Sequence, residues 1–127
     1  LNLGGYDSIR CWGTSGGAAA ALAAGIRFEA SRLVSFCGRP PTSSSFYGRK
    51  PAALDLEARL KKSSVAKGRA FGVYGASHSQ DKNNALQLAR LMEIALIPIN
   101  DLSDHIIIHP LHLRGELGGV FQKVGLI

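Results

Sequence analysis

Four short apolar runs punctuate this chain, and between them the apolar residues recur at helical spacing. Ile9, Cys11 and Trp12 define the first run, which predicts a strand over Ser8–Trp12. Gly16–Gly25 follows as a helix built almost wholly of alanine. Arg32–Cys37, apolar and rich in branched and aromatic side chains, is the second strand, and Gly38 closes it. Arg39–Lys50 carries two prolines, three serines and no period, and reads as a loop. Pro51 suits the first turn of a helix reaching about Ser63, in which Leu54, Leu56 and Leu60 give a partial apolar face and Lys61-Lys62 complement the dipole. Ala70–Gly75 is the third strand. After a polar loop over Ala76–Gln80, a helix opens at Asp81 or Lys82 and runs to about Ile94, burying Ala85, Leu88, Ala89, Leu91 and Met92, the last as core filler. Leu96–Ile99 is the fourth strand, and Pro98 marks it as an edge. Asp101–Asp104 reads as a turn and helix cap, and a last helical region follows from His105, breaks near Gly115 and restarts for Leu117–Lys123.

Strand–helix–strand succession demands parallel pairing through right-handed crossovers. The expected fold is therefore α/β, three-layered, with about four parallel strands and helices on both faces. At 127 residues the chain has room for one domain with a respectable core, and no internal repeat is evident.

Chemistry concentrates where the first strand meets the first helix. Gly13-Thr14-Ser15-Gly16-Gly17 fits Gly-x-Ser-x-Gly, the nucleophile elbow, in which a serine stands exposed on a strained turn between strand and helix. Glycines are expected there because side chains flanking the serine would collide with strand and helix. The Gly16 amide, in the first helical turn, would point at a developing oxyanion. Thr14 beside the serine is a candidate substrate contact. The competing reading is a glycine-rich turn that holds a phosphate or other anion without catalysis.

A serine needs a base, and the base needs an orienting group. The order serine, acid, histidine, each after a strand of one parallel sheet, brings distant residues to the same edge. Ser15 follows the first strand, Asp81 the third and His105 the fourth. Asp81 is alternatively an N-cap. His109 is the next choice of base, whereas His78 shares the loop of Asp81 and is a candidate pocket residue. His112 reads as a surface or packing residue.

These features together, the elbow, the strand Phe71–Gly75 with Asp81 downstream, and Asp104-His105 leading into a terminal helix, resemble the carboxyl-terminal half of an α/β-hydrolase, over most of the chain. The resemblance implies Ser15 as nucleophile, His105 as general base, Asp81 as its orienting acid and Gly16 as an oxyanion donor. Members of that superfamily usually place several strands before the elbow, and a loop after one of them supplies the second oxyanion donor. Only a short segment precedes the elbow here. Either the chain is part of a longer protein, or the sheet is a reduced one whose first-strand edge is open or covered by a partner chain. The implied activity is hydrolysis of a small-molecule acyl ester or thioester through an acyl-enzyme.

Composition trims the alternatives. Net charge is +6, with basic residues scattered and no nucleic-acid recognition motif, so no specific nucleic-acid partner is expected. No Gly-Lys-Ser/Thr ending or dinucleotide fingerprint follows the glycines, and the expected cofactor and metal complement is none. No run is long enough to span a bilayer. Cys11 and Cys37 both fall in predicted strands, without metal-site spacing, and read as buried reduced thiols of a cytoplasmic protein.

Overall fold

The computed structural model describes residues 4–43 and 50–127. Four strands, β1 (Arg10–Thr14), β2 (Arg32–Phe36), β3 (Ala70–Gly75) and β4 (Ala95–Ile99), form one sheet in the order β1-β2-β3-β4. All three pairings are parallel, with Cys11 opposite Leu33, Phe36 opposite Val73 and Gly75 opposite Ile99. Helices α1 (Gly16–Arg27), α2 (Pro51–Lys62) and α3 (Ser79–Leu91) make the three crossovers. Two short helices, α4 (Ile108–Leu113) and α5 (Leu117–Lys123), end the chain. The fold is α/β, as its alternating pattern predicts.

The sheet is apolar on both faces, and each face has its own core. Leu33 and Ala70 meet Leu22 of α1, Leu60 of α2, and Leu88 and Met92 at the end of α3. On the opposite face Val34, Phe36, Val73 and Ile97 meet Leu111 of α4 and Val124 beyond α5. Trp12, Phe36 and Phe121 lock α5 to the first two strands, with ring centroids 5.7–5.8 Å apart. Strands covered on both sides read as near-continuous apolar runs, which is why β2 and β3 stand out in the sequence. Pro98 sits on the outer strand β4, where its missing amide costs no ladder bond.

Several boundaries differ from expectation, each for a tertiary reason. β1 is displaced to Arg10–Thr14 because Gly13 and Thr14 pair with Ser35 and Phe36 and extend the strand to the edge of the turn. Cys37 lies one residue beyond β2 in a left-handed conformation (φ 51°), not within the strand. α3 begins at Ser79, because His78 rather than Asp81 caps it. The final helices begin at Ile108 rather than His105, with Ile107 at the cap position, so Asp101–Asp104 caps nothing. Leu54 is exposed, which leaves Leu60 as the buried leucine of α2. Gly115, in a left-handed conformation (φ 70°), makes the expected break between α4 and α5. Of the Arg39–Lys50 loop, Pro41–Ser43 forms one short 3-10 turn, and residues 44–49 lie outside the described residues, as do residues 1–3. Among the described residues no helix is long and apolar enough to cross a membrane.

Candidate active site

Each loop leaving the carboxyl edge of the sheet is tied to a neighbouring strand or loop. The Ser15 amide donates to the Phe36 carbonyl (2.9 Å), and the Cys37 amide to that of Val73 (2.8 Å). The Ala76 amide donates to Ile99 (2.9 Å), and the Ser77 amide to Leu102 (3.1 Å). These bonds fix the height at which the side chains of all four loops stand, so polar residues remote in sequence share one rim.

Ser15 occupies the turn between β1 and α1 at φ 49°, ψ −120°. That conformation costs a non-glycine residue on the order of 1–3 kcal/mol and persists only where its surroundings over-determine it. Gly13 is one reason it persists. A Cβ at Gly13 would lie 2.5 Å from the Gly17 carbonyl oxygen and 2.8 Å from its carbon, so β1 and the first turn of α1 approach through bare backbone. The expectation that both motif glycines relieve a collision holds for Gly13 only, because a Cβ at Gly16 or Gly17 would enter open space.

The Ser15 hydroxyl lies 2.7 Å from His105 Nε2, across 90 residues of chain. His105 Nδ1 lies 2.9 Å from both carboxylate oxygens of Asp81. Chemistry fixes the direction of this chain of bonds. An ionised carboxylate only accepts, so Nδ1 carries the proton and Nε2 is left as an acceptor for the serine hydroxyl. Asp81 is 1% exposed, in the first turn of α3, where the helix N-terminus favours its charge. His105 is half-buried, whereas the carboxylate that its Nδ1 meets is almost fully enclosed.

The structure thus brings Ser15, Asp81 and His105 together. His109 and His112 lie on the exposed side of α4, away from this chain of bonds. Gly16 opens α1, where its amide has no intrahelical acceptor. Thr14 is exposed at the end of β1, immediately before the serine. His78 stands beside the centre, with its side chain partly exposed. Its Nδ1 accepts the Asp81 amide (3.1 Å) and lies 3.2 Å from the Asp81 carboxylate, with its ring 5.7 Å from that of His105.

Two contributors escape sequence reasoning. Cys37 is buried beside Asp81, and its thiol is pushed up to about 12, first by burial, then by the charge of the Asp81 carboxylate and the hydrogen bond to it. It therefore stands as a neutral S–H donor under the carboxylate. Gly75 is the other. A Cβ there would lie 2.5 Å from the Leu102 carbonyl oxygen, so only a glycine lets the loop that carries His105 fold back over the end of β3. A glycine ending an apolar strand is the signal that could have marked it.

Cys37 Sγ, an Asp81 oxygen and His105 Nδ1 all lie within 4.8 Å of one another, a sulfur–oxygen–nitrogen set of the kind that zinc accepts. A metal ion there would displace the Nδ1 proton and the thiol proton, and would break the bonds that orient His105.

A cavity of about 770 Å³ lies between the carboxyl-terminal half of α1 and α2, and none of these residues lines it. A smaller cleft of about 210 Å³ reaches Gly16. The arrangement as a whole, a parallel α/β sheet with a strained serine bonded to an imidazole and a buried carboxylate at its carboxyl edge, is chemically equipped for nucleophilic attack. Comparison of the chain with protein-family models, with curated proteins and with solved structures gives no match.

Proposed function

We propose that this protein is a serine hydrolase that cleaves ester bonds of small molecules through an acyl-enzyme, with Ser15, His105 and Asp81 as its catalytic triad. The observation that carries the reading is the unbroken sequence of short contacts from Ser15 Oγ to His105 Nε2 and from His105 Nδ1 to Asp81. An anion-binding turn needs the helix start but has no use for an imidazole aligned on the serine by a buried carboxylate. That difference favours catalysis over the anion-binding reading.

His105 Nε2 accepts the hydroxyl proton as Ser15 Oγ attacks the ester carbonyl carbon. Asp81 holds the imidazole in the productive tautomer and stabilises the imidazolium that forms. The Gly16 amide donates to the oxyanion of the tetrahedral intermediate. Collapse expels the alcohol, which takes its proton from His105 and leaves Ser15 acylated. Water then attacks the acyl-enzyme with His105 again accepting a proton, and the second collapse releases the carboxylic acid and restores the hydroxyl.

A fluorophosphonate probe tests the reading directly. Ser15 should be labelled stoichiometrically, and labelling should vanish in Ser15→Ala and fall at least a hundredfold in rate in His105→Ala. Absence of labelling in the folded protein, with phosphate bound tightly, would replace the hydrolase with the anion-binding module.

A further inference from the structure

The 210 Å³ cleft that reaches Gly16 has walls of an unusual kind. Gly16, Ala19 and Ala20 line one side, spaced so that they share one face of α1. Ala52, Ala53 and Leu56 of α2 line the other, and Pro41 closes the cleft. Every lining residue is glycine, alanine, proline or leucine, and no side chain among them offers a hydrogen bond. The alanine run of α1 therefore divides its work. Ala18, Ala19, Leu22 and Gly25 are buried, and of these Ala19, with the exposed Ala20, lines the cleft opposite α2 and is short enough to leave a gap. The far wall is held in place, because the Thr42 hydroxyl in the turn after Pro41 donates to Glu57 of α2.

We propose that this cleft is the acyl-chain site of the hydrolase and that it selects short aliphatic acyl groups; the inference rests on the function proposed above. Position separates the acyl group from the alcohol. The leaving alcohol must lie against His105 Nε2 to receive its proton. The cleft is walled by α1, Pro41 and α2, and no residue of the loop that carries His105 contributes to it. The part of the ester on the other side of the carbonyl carbon, towards Gly16 and the cleft it lines, is the acyl chain. Size sets its length: at about 30 Å³ for a water-sized group, the cleft holds roughly six or seven carbon-sized groups.

The test is a series of p-nitrophenyl esters from acetate to dodecanoate, which keeps the leaving group constant. With each methylene that enters the cleft, kcat/KM should rise by up to about fourfold. It should peak near heptanoate or octanoate and fall at least tenfold by dodecanoate. Ala20→Leu and Ala52→Leu each place a good helix former in a helix and fill the cleft from opposite walls. Each should lower the hexanoate-to-acetate ratio of kcat/KM at least tenfold, with fluorophosphonate labelling of Ser15 reporting that the fold is retained. A flat or steadily rising profile overturns the inference while leaving the hydrolase in place, and so does an unchanged ratio in both labelled variants. Failure to turn over any ester, acetate included, removes the hydrolase reading and this inference together.

Discussion

Replacing Gly13 by alanine tests the turn that presents Ser15. The added methyl would sit 2.5 Å from the Gly17 carbonyl oxygen, half an ångström inside the shortest contact that real Cβ atoms make. The obstructing atoms are backbone, so no rotamer relieves the clash, and either β1 or the first turn of α1 must move. Overpacking of this kind costs about 1–3 kcal/mol. A shift of half an ångström at the start of α1 also carries Ser15 off its 2.7 Å contact with His105. Displacement by about 1 Å can cost on the order of 10²-fold in rate. Gly13→Ala should therefore lower the urea midpoint by the equivalent of about 1–3 kcal/mol and ester turnover by about 10- to 100-fold. Gly17→Ala is the control, since its methyl meets nothing, and alanine is a better helix former by up to about 1 kcal/mol. Equal midpoints and equal rates for wild type and Gly13→Ala would refute the claim that close backbone approach holds the serine.

Three further perturbations read other parts of the site. Asp81→Asn keeps the shape but presents a donor to His105 Nδ1, turning the proton to Nε2, and should lower kcat about 10⁴-fold with labelling slowed to match. A loss under tenfold would show that Asp81 does not set the tautomer. His78→Ala removes the side chain that caps α3 at the Asp81 amide and should cost about 0.5–2 kcal/mol in denaturant titration. His78→Asn, which supplies another capping oxygen, should recover most of it, and equal destabilisation of the two would exclude the capping role. Cys37 ionises near 9.0 in the unfolded chain and at about 12 when folded. Between those values the unfolded state binds fewer protons, so stability should fall by about 1.4 kcal/mol per pH unit as pH rises through that window. Cys37→Ala should flatten this slope, whereas a slope identical to wild type would place the alkaline loss elsewhere.

Layer order and strand direction were legible because buried parallel strands carry dense apolar runs. Ala70–Gly75 is bounded by Arg69 and a polar loop and needs no tertiary information to locate. The elbow strand was harder. A glycine and a threonine at its end read as a turn, and only pairing with Ser35 and Phe36 keeps them extended. The start of α3 is not legible because histidine is an uncommon cap, set here by its fit to the Asp81 amide. Ser15 could be nominated from its Gly-x-Ser-x-Gly turn, and Asp81 and His105 from their order after it, since a parallel sheet delivers all its loops to one edge. Cys37 could not. Its contact with Asp81 depends on a left-handed residue after β2 that no local pattern announces.

Ser15 follows one outer strand of the sheet and His105 follows the other, yet their side chains touch. Four strands at about 4.8 Å spacing put those outer strands roughly 14 Å apart. The contact therefore ties the two margins together like a bowstring, drawn by the loop that crosses over Gly75. A string responds to the curvature of its bow. Modest changes in how the layer coils, from a repacked helix or a ligand wedged under α5, would slacken it well before any strand came apart. Turnover would then register the bend of the whole scaffold, and its loss with heat would precede melting.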